Sequence, residues 1–211
     1  MKRCRPILAM LLALLLAAAT LPAASAAAPG DDYVADMFLC YRQSDASFFG
    51  HAWVYIENRT DETLQVGAYR LPPQQGVSVG SFAFRSRALG THYNVEAWCG
   101  NHYPMDGTVA TKQQLSRSAL QNVSNTLLNT NFWGVFFNCA AFAATVWNAG
   151  SGKKVIPLLF PVFVKLQIQS YGTVGSFRMY SPDRDQVVKQ NGTGSGATLS
   201  RCPDGPLQKE I

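Results

Sequence analysis

Asn138-Cys139-Ala140-Ala141-Phe142-Ala143-Ala144-Thr145-Val146-Trp147-Asn148 is the stretch whose reading decides the fold. An Asn stands where a helix N-cap belongs, because its side-chain oxygen accepts the first unpaired N–H groups. Alanines and large apolar residues follow, and Gly150 and Gly152 stop the helix. The cysteine then falls in the first turn. A thiol there feels the positive end of the helix dipole, which lowers its pKa and raises the thiolate fraction that a nucleophile needs. The competing reading is a buried structural cysteine, since free Cys is among the most buried residue types.

Working outward, Gly50-His51-Ala52-Trp53-Val54-Tyr55-Ile56 places a histidine at the opening of a strand. A His within reach of a thiol is the usual base of a cysteine nucleophile; a satisfied core histidine is the alternative. Alternation predicts strands over 33–41, 51–57, 77–84 and 92–98. The turn residues Asn58-Arg59-Thr60-Asp61 predict that 63–69 returns as the hairpin partner of 51–57. Gln43 to Phe49 reads as a loop. Thr111 to Asn129 reads as a helix, with Leu115, Ala119, Val123, Leu127 and Leu128 on one face and Thr108 or Thr111 as its cap. The segment from Val155 to Tyr171 fits either a helix after Pro161 or a strand. The fold class expected is α+β, an antiparallel sheet packed against the helix that carries the Cys. A single domain over 27–185 and a flexible C-terminal tail over 186–211 complete the expected organisation, the tail because Gln, Asn, Gly, Thr and Ser dominate it.

The N-terminus reads as an export signal. Met1-Lys2-Arg3-Cys4-Arg5 is basic, Ile7 to Leu21 is apolar, and Ala24-Ser25-Ala26 fits an A-x-A cleavage site. A signal peptide over 1–26 leaves about 185 residues, enough for one sizeable core. Removing Lys2, Arg3 and Arg5 takes the net charge of +5 down to +2, which argues against nucleic acid as a partner. No later segment is long enough to span a bilayer. The expected location is periplasmic or secreted, and the expected state a monomer without stable membrane insertion.

Export brings an oxidising compartment, so Cys40, Cys99, Cys139 and Cys202 can be read as two disulfides. If Cys139 is a nucleophile, at most one bridge is left, and one from Cys202 to Cys40 or to Cys99 would staple the tail to the body. Cys99-Gly100-Asn101-His102 has metal-like spacing, but no second paired motif accompanies it. No metal and no cofactor are therefore expected.

A helix-borne Cys facing a His on an antiparallel sheet resembles papain-like enzymes. There the Cys helix precedes the His strand; here His51 precedes Cys139. That order resembles the circularly permuted papain-like superfamily, which includes lecithin-retinol acyltransferase and H-rev107-like enzymes and relatives of the NlpC/P60 peptidases. The resemblance rests on Asn138-Cys139 with Phe142-Ala143, and on His51-Ala52-Trp53-Val54-Tyr55, and covers roughly residues 50 to 150. The acyltransferase relatives place a second His about a dozen residues after the first; this chain has Thr63 there and no His nearby. Glu96, Asn94, Gln65 and Tyr69 are the polar candidates for the third position, with Glu96 preferred as an acid on the strand expected over 92–98. A carboxylate there would favour the charged imidazole; a solvated edge-strand charge is its alternative reading.

The function expected is a thiol hydrolase of an amide bond, in a peptide or a peptidoglycan stem peptide, with Cys139, His51 and Glu96 as its catalytic residues. A lipid or ester acyl hydrolase or acyltransferase on the same fold is the nearby alternative, with an acyl-bearing substrate. A non-catalytic exported binding domain with Cys139 in a disulfide is the alternative of another class.

Overall fold

The computed structural model describes residues 32–44, 47–84, 88–102 and 106–202. The expected signal peptide lies outside them. Seven antiparallel strands form one sheet in the order β7-β1-β2-β5-β6-β8-β9. They are β1 (Tyr33–Ser44), β2 (Ser47–Asn58), β5 (Gly76–Phe84), β6 (Ala88–Tyr93), β7 (Val109–Ser116), β8 (Val188–Asn191) and β9 (Thr198–Arg201). The short strands β3 (Leu64–Val66) and β4 (Tyr69–Leu71) pair only with each other. Among the described residues four α-helices accompany the sheet: α1 (Val95–His102), α2 (Arg117–Asn129), α3 (Cys139–Gly150) and α4 (Pro161–Tyr171). The fold is α+β, with a helix carrying the Cys packed on an antiparallel sheet. Among the described residues no helix is long and apolar enough to cross a membrane.

Alternation along β1 and β2 divides the core. Met37, Leu39, Ala52, Val54 and Ile56 face the larger cluster, which α2, α3, α4 and the β3–β4 hairpin cover. Phe38, Cys40, Trp53 and Tyr55 face the opposite side, against Val174, Phe177, Met179 and Tyr180. Helix α3 fills the larger core with Phe142, Val146 and Trp147, all fully buried. The Trp147 indole N–H is satisfied by the Lys153 carbonyl at 2.6 Å, as a buried indole requires.

Five expectations are corrected, four of them within the body of the fold. The segment 63–69 does not pair with β2, whose neighbours are β1 and β5; the register instead puts Val54 opposite Val79. Asn58 explains why, because its side chain donates to the Glu62, Leu71 and Pro72 carbonyls and folds the turn away from the sheet. The helix expected over 111–129 starts only at Arg117, since Ser116 is its N-cap and accepts from the Ala119 N–H at 3.2 Å. The residues before it pair with β1 as β7. The strand expected over 92–98 ends at Tyr93, where Asn94 takes the left-handed conformation (φ 66°) and turns the chain into α1. The loop expected over 43–49 is mostly occupied by the ends of β1 and β2.

The largest correction concerns the tail. Residues 188–201, expected to be flexible, form β8 and β9 and extend the sheet from β6. Gln190 is fully buried there. It accepts from the Tyr93 hydroxyl at 2.9 Å and donates to the Leu127 and Leu128 carbonyls at the end of α2. A polar residue holds this segment in place by its partners, so low hydrophobicity misled. Cys202 joins Cys99 in one buried cluster, whereas Cys40 belongs to another. Of the two bridges considered for Cys202, the fold therefore favours the one to Cys99. No disulfide is formed among the described cysteines.

Gln190→Ala strips the Tyr93 hydroxyl and two helix-end carbonyls of their partner. It should lower unfolding stability by about 2–3 kcal/mol in urea titration. An unchanged midpoint would mean that the tail does not hold the body.

Candidate active site

Cys139 is the first residue of α3 and is partly exposed. Asn138 caps the helix, its side-chain oxygen accepting from the Ala140 and Ala141 N–H groups at 3.0 and 3.4 Å. The Asn138 amide N–H₂ donates to the Leu159 carbonyl at 2.5 Å and fixes the cap to the following loop. The thiol thus sits at the positive end of a three-turn helix whose opposite end is anchored in the core.

His51 lies near the start of β2, just after Gly50, which has φ +75°. A Cβ at Gly50 would come within 2.5 Å of the Arg42 carbonyl, so glycine alone suits this close strand approach. The His51 ring stacks on Phe82 (centroids 4.7 Å apart) and on Trp53 (5.7 Å). Its Nε2 meets Glu96 Oε1 at 3.0 Å, and the ring also hydrogen-bonds the Cys139 thiol. With Nε2 committed to Glu96, Nδ1 is the nitrogen left to face sulfur.

The sheet opens to permit this meeting. Pairing of β2 with β5 stops at Val54 and Val79. Beyond that point the Ala52 N–H lies outside the β2–β5 ladder, and the backbone N–H groups of Ala52 and Ala140 favour the Cys139 thiolate. Cys139 comes from the helix covering one face, while the His51 ring shares the other face with Trp53.

Glu96 approaches on α1 and is fully buried. Ser78 donates its hydroxyl proton to Glu96 Oε2 at 2.8 Å and accepts the Ala97 N–H at 3.1 Å. Gly80 makes room, since a Cβ there would stand 1.9 Å from Glu96 Oε1. Asn94 anchors the turn into α1 by donating to the Gln186 carbonyl at 3.1 Å and the Tyr69 hydroxyl at 3.2 Å.

Burial opposes a charged ring at His51, yet the negative charge and hydrogen bond of Cys139, followed by Glu96, outweigh it and raise the pKa to about 10. Burial also pushes the Cys139 thiol up, but the His51 charge and hydrogen bond and the two backbone N–H groups turn the net shift downward. Each charge favours the other, so both shifts run toward the thiolate–imidazolium form. The other described cysteines go the opposite way: burial raises Cys40, and lifts Cys99 and Cys202 to about 12.

The structure thus brings Cys139, His51 and Glu96 together, with Glu96 arriving from a helix and not from the expected strand. Asn94, Gln65 and Tyr69 have other work. Asn94 shapes the turn, Gln65 donates to the Gly67 carbonyl, and Tyr69 stacks on Tyr93. The sequence reading missed Ser78, Gly80, Phe82 and the Ala52 N–H. The signal lay in Gly76-Val77-Ser78-Val79-Gly80, where every second residue is small. One face of that strand had to accommodate something bulky. No group of three metal-ligating side chains occurs among the described residues. His102 is held by the Trp98 carbonyl at 2.7 Å and stacks on that indole, so the C-x-x-H spacing reflects one helical turn. No protein-family model, curated protein or solved structure matches this chain.

Because its pKa is lowered, Cys139 should keep reacting with iodoacetamide as pH falls below the ordinary thiol value of about 8.5. The rate should decline only as pH drops through the shifted pKa. Gly80→Ala displaces the Glu96 carboxylate without touching sulfur, and should move that profile toward the ordinary one while far-UV circular dichroism stays unchanged. Identical profiles for the two proteins would show that Glu96 does not support the pair.

Proposed function

We propose that the protein is an exported thiol hydrolase with a permuted papain-like arrangement, cleaving an amide bond in a peptide or a peptidoglycan stem peptide. The observation that carries this reading is one imidazole bridging a helix-start thiol and a buried carboxylate. Such a bridge serves both halves of acyl transfer. The Cys139 thiolate attacks the acyl carbon, and the carbonyl electron pair moves to oxygen. Collapse of the tetrahedral adduct expels the amine, which takes its proton from the His51 imidazolium. Neutral His51 then accepts a proton from water as the hydroxide adds to the thioester. The returning proton regenerates the charged pair and the acid product leaves.

Glu96 is the orienting group. By accepting from Nε2 it fixes the tautomer that presents Nδ1 to sulfur and steadies the imidazolium. The unbonded state of Cys139 favours this reading over a structural disulfide. Its lowered pKa, against raised values at Cys40, Cys99 and Cys202, does so too.

A second substrate class has its own support. Phe132, Val135 and Phe136 stand exposed on the loop just before Cys139. An acyl chain of a lipid or ester would find apolar surface there, and the thiol chemistry would be the same.

The test is hydrolysis of purified peptidoglycan fragments and, in parallel, of fluorogenic acyl esters, with products identified by mass spectrometry. Cys139→Ala and His51→Ala should each lower kcat/KM at least about 10³-fold. Glu96→Gln should cost on the order of 10², with the loss concentrated in kcat. A Cys139→Ala protein that retains full activity would overturn the proposal. Activity confined to the esters would replace the amide reading with the acyl one.

A further inference from the structure

The surface around Cys139 combines two properties that the thiol chemistry does not explain. The first is exposed apolar bulk. Phe136 is 86% exposed, Val135 67%, Leu166 55%, Phe132 52%, Ile156 49% and Phe163 38%. These residues form a linked set. Asn138 ties the Val135 and Leu159 carbonyls together across the nucleophile loop. Gln167 binds the Ile156 N–H and the carbonyls of Ile156 and Phe163, joining that loop to α4. Phe132 stacks on Phe137 at 4.3 Å, which holds the first loop in a defined shape. Soluble surfaces scatter single apolar residues; a joined group of this size marks a contact surface.

The second property is charge. From Gly107 to Pro182 the chain has no Asp or Glu, while it carries Lys112, Arg117, Lys153, Lys154, Lys165 and Arg178. Lys112 and Arg117 reach back to Asp36 and Glu62. Lys153, Lys154 and Lys165, close in sequence to Ile156, Phe163 and Leu166, have no ion pair among the described residues, and the Lys154 ammonium donates to the Asn148 carbonyl at 2.8 Å. Lys165 lies on α4 between Phe163 and Leu166, its ammonium 5.9 Å from the Tyr41 ring. Projecting Phe, Val, Ile and Leu side chains with lysines and no acids are what a peripheral protein presents to an anionic bilayer. The apolar groups enter the acyl boundary and the ammoniums meet the headgroups.

We infer that the surface formed by the 132–137 loop, the 156–160 loop and the exposed side of α4 docks on an anionic lipid membrane, placing Cys139 at the bilayer surface. The contact is interfacial, so it needs no spanning helix. It does not depend on the catalytic reading, because neither loop contributes the His51–Glu96 pair.

Co-sedimentation with vesicles of phosphatidylcholine containing 30% phosphatidylglycerol tests the inference, with pure phosphatidylcholine vesicles as the comparison. The full chain should bind the anionic vesicles more tightly, and binding should weaken in 0.5 M salt. Val135→Ser with Phe136→Ser removes two side chains that support no core. This double variant should bind about tenfold or more weakly while keeping its thermal midpoint. Lys165→Gln should reduce only the anionic preference. Cys139→Ala should bind as the unaltered chain does, which separates failure of this inference from failure of the hydrolase reading. Equal binding of the unaltered chain and the double variant overturns the inference. So does a double variant that loses only self-association in sedimentation velocity, because the surface would then be a contact between copies.

Discussion

A carboxylate with no solvent exposure is tolerated only where other groups replace the water it has lost, and Glu96 is such a carboxylate. Its oxygens are divided between His51 and Ser78. Removing one partner of a buried ionic pair costs about 3–5 kcal/mol, so each of these side chains constrains the other. The constraint spreads through the fold. Ser78 and Gly80 keep one face of β5 small, Asn94 makes the left-handed turn that lowers α1 onto that strand, and Phe82 holds the imidazole flat. Cys139 completes the set from the other side. Its helix is fixed by apolar packing and an Asn cap, features that would be present whatever the thiol did.

The opening between β2 and β5 reconciles two demands that conflict in a regular sheet. Side chains alternate between faces, so a helix on one face and an imidazole on the other are ordinarily separated by the backbone. The β2–β5 ladder ends at Val54 and Val79, and the Ala52 N–H beyond it favours the Cys139 thiolate. A backbone donor that would otherwise be an unsatisfied edge group thereby helps to hold negative charge.

What was legible in the sequence was mostly local. The Asn138 cap, the Cys139 helix start and the strand after His51 each follow from a few adjacent residues. Glu96 was legible as a residue and misread as to its element, because one positive φ at Asn94 converts a strand continuation into a helix. The start of α2 was misplaced for a similar reason: Ser116 was the effective cap, and the alternation before it was hidden inside an apolar pattern that also fits a helix. The β3–β4 hairpin and the β8–β9 strands were not legible. Their placement depends on Asn58, Gln190 and Tyr93 finding partners far along the chain, and no local periodicity encodes those bonds. Small residues at Ser78 and Gly80 make sense only once Glu96 is known to lie above them.

The late strands also set an order of events. Asn94 leans on the Gln186 carbonyl, and Cys99 of α1 shares its cluster with Val187 and Cys202. The shelf that positions the carboxylate is therefore closed by residues 186–202, well after Cys139. A polypeptide made from its N-terminus carries its Cys139 thiol before it carries the residues that brace Glu96. Assembly of this cluster is thereby tied to the folding of residues 186–202.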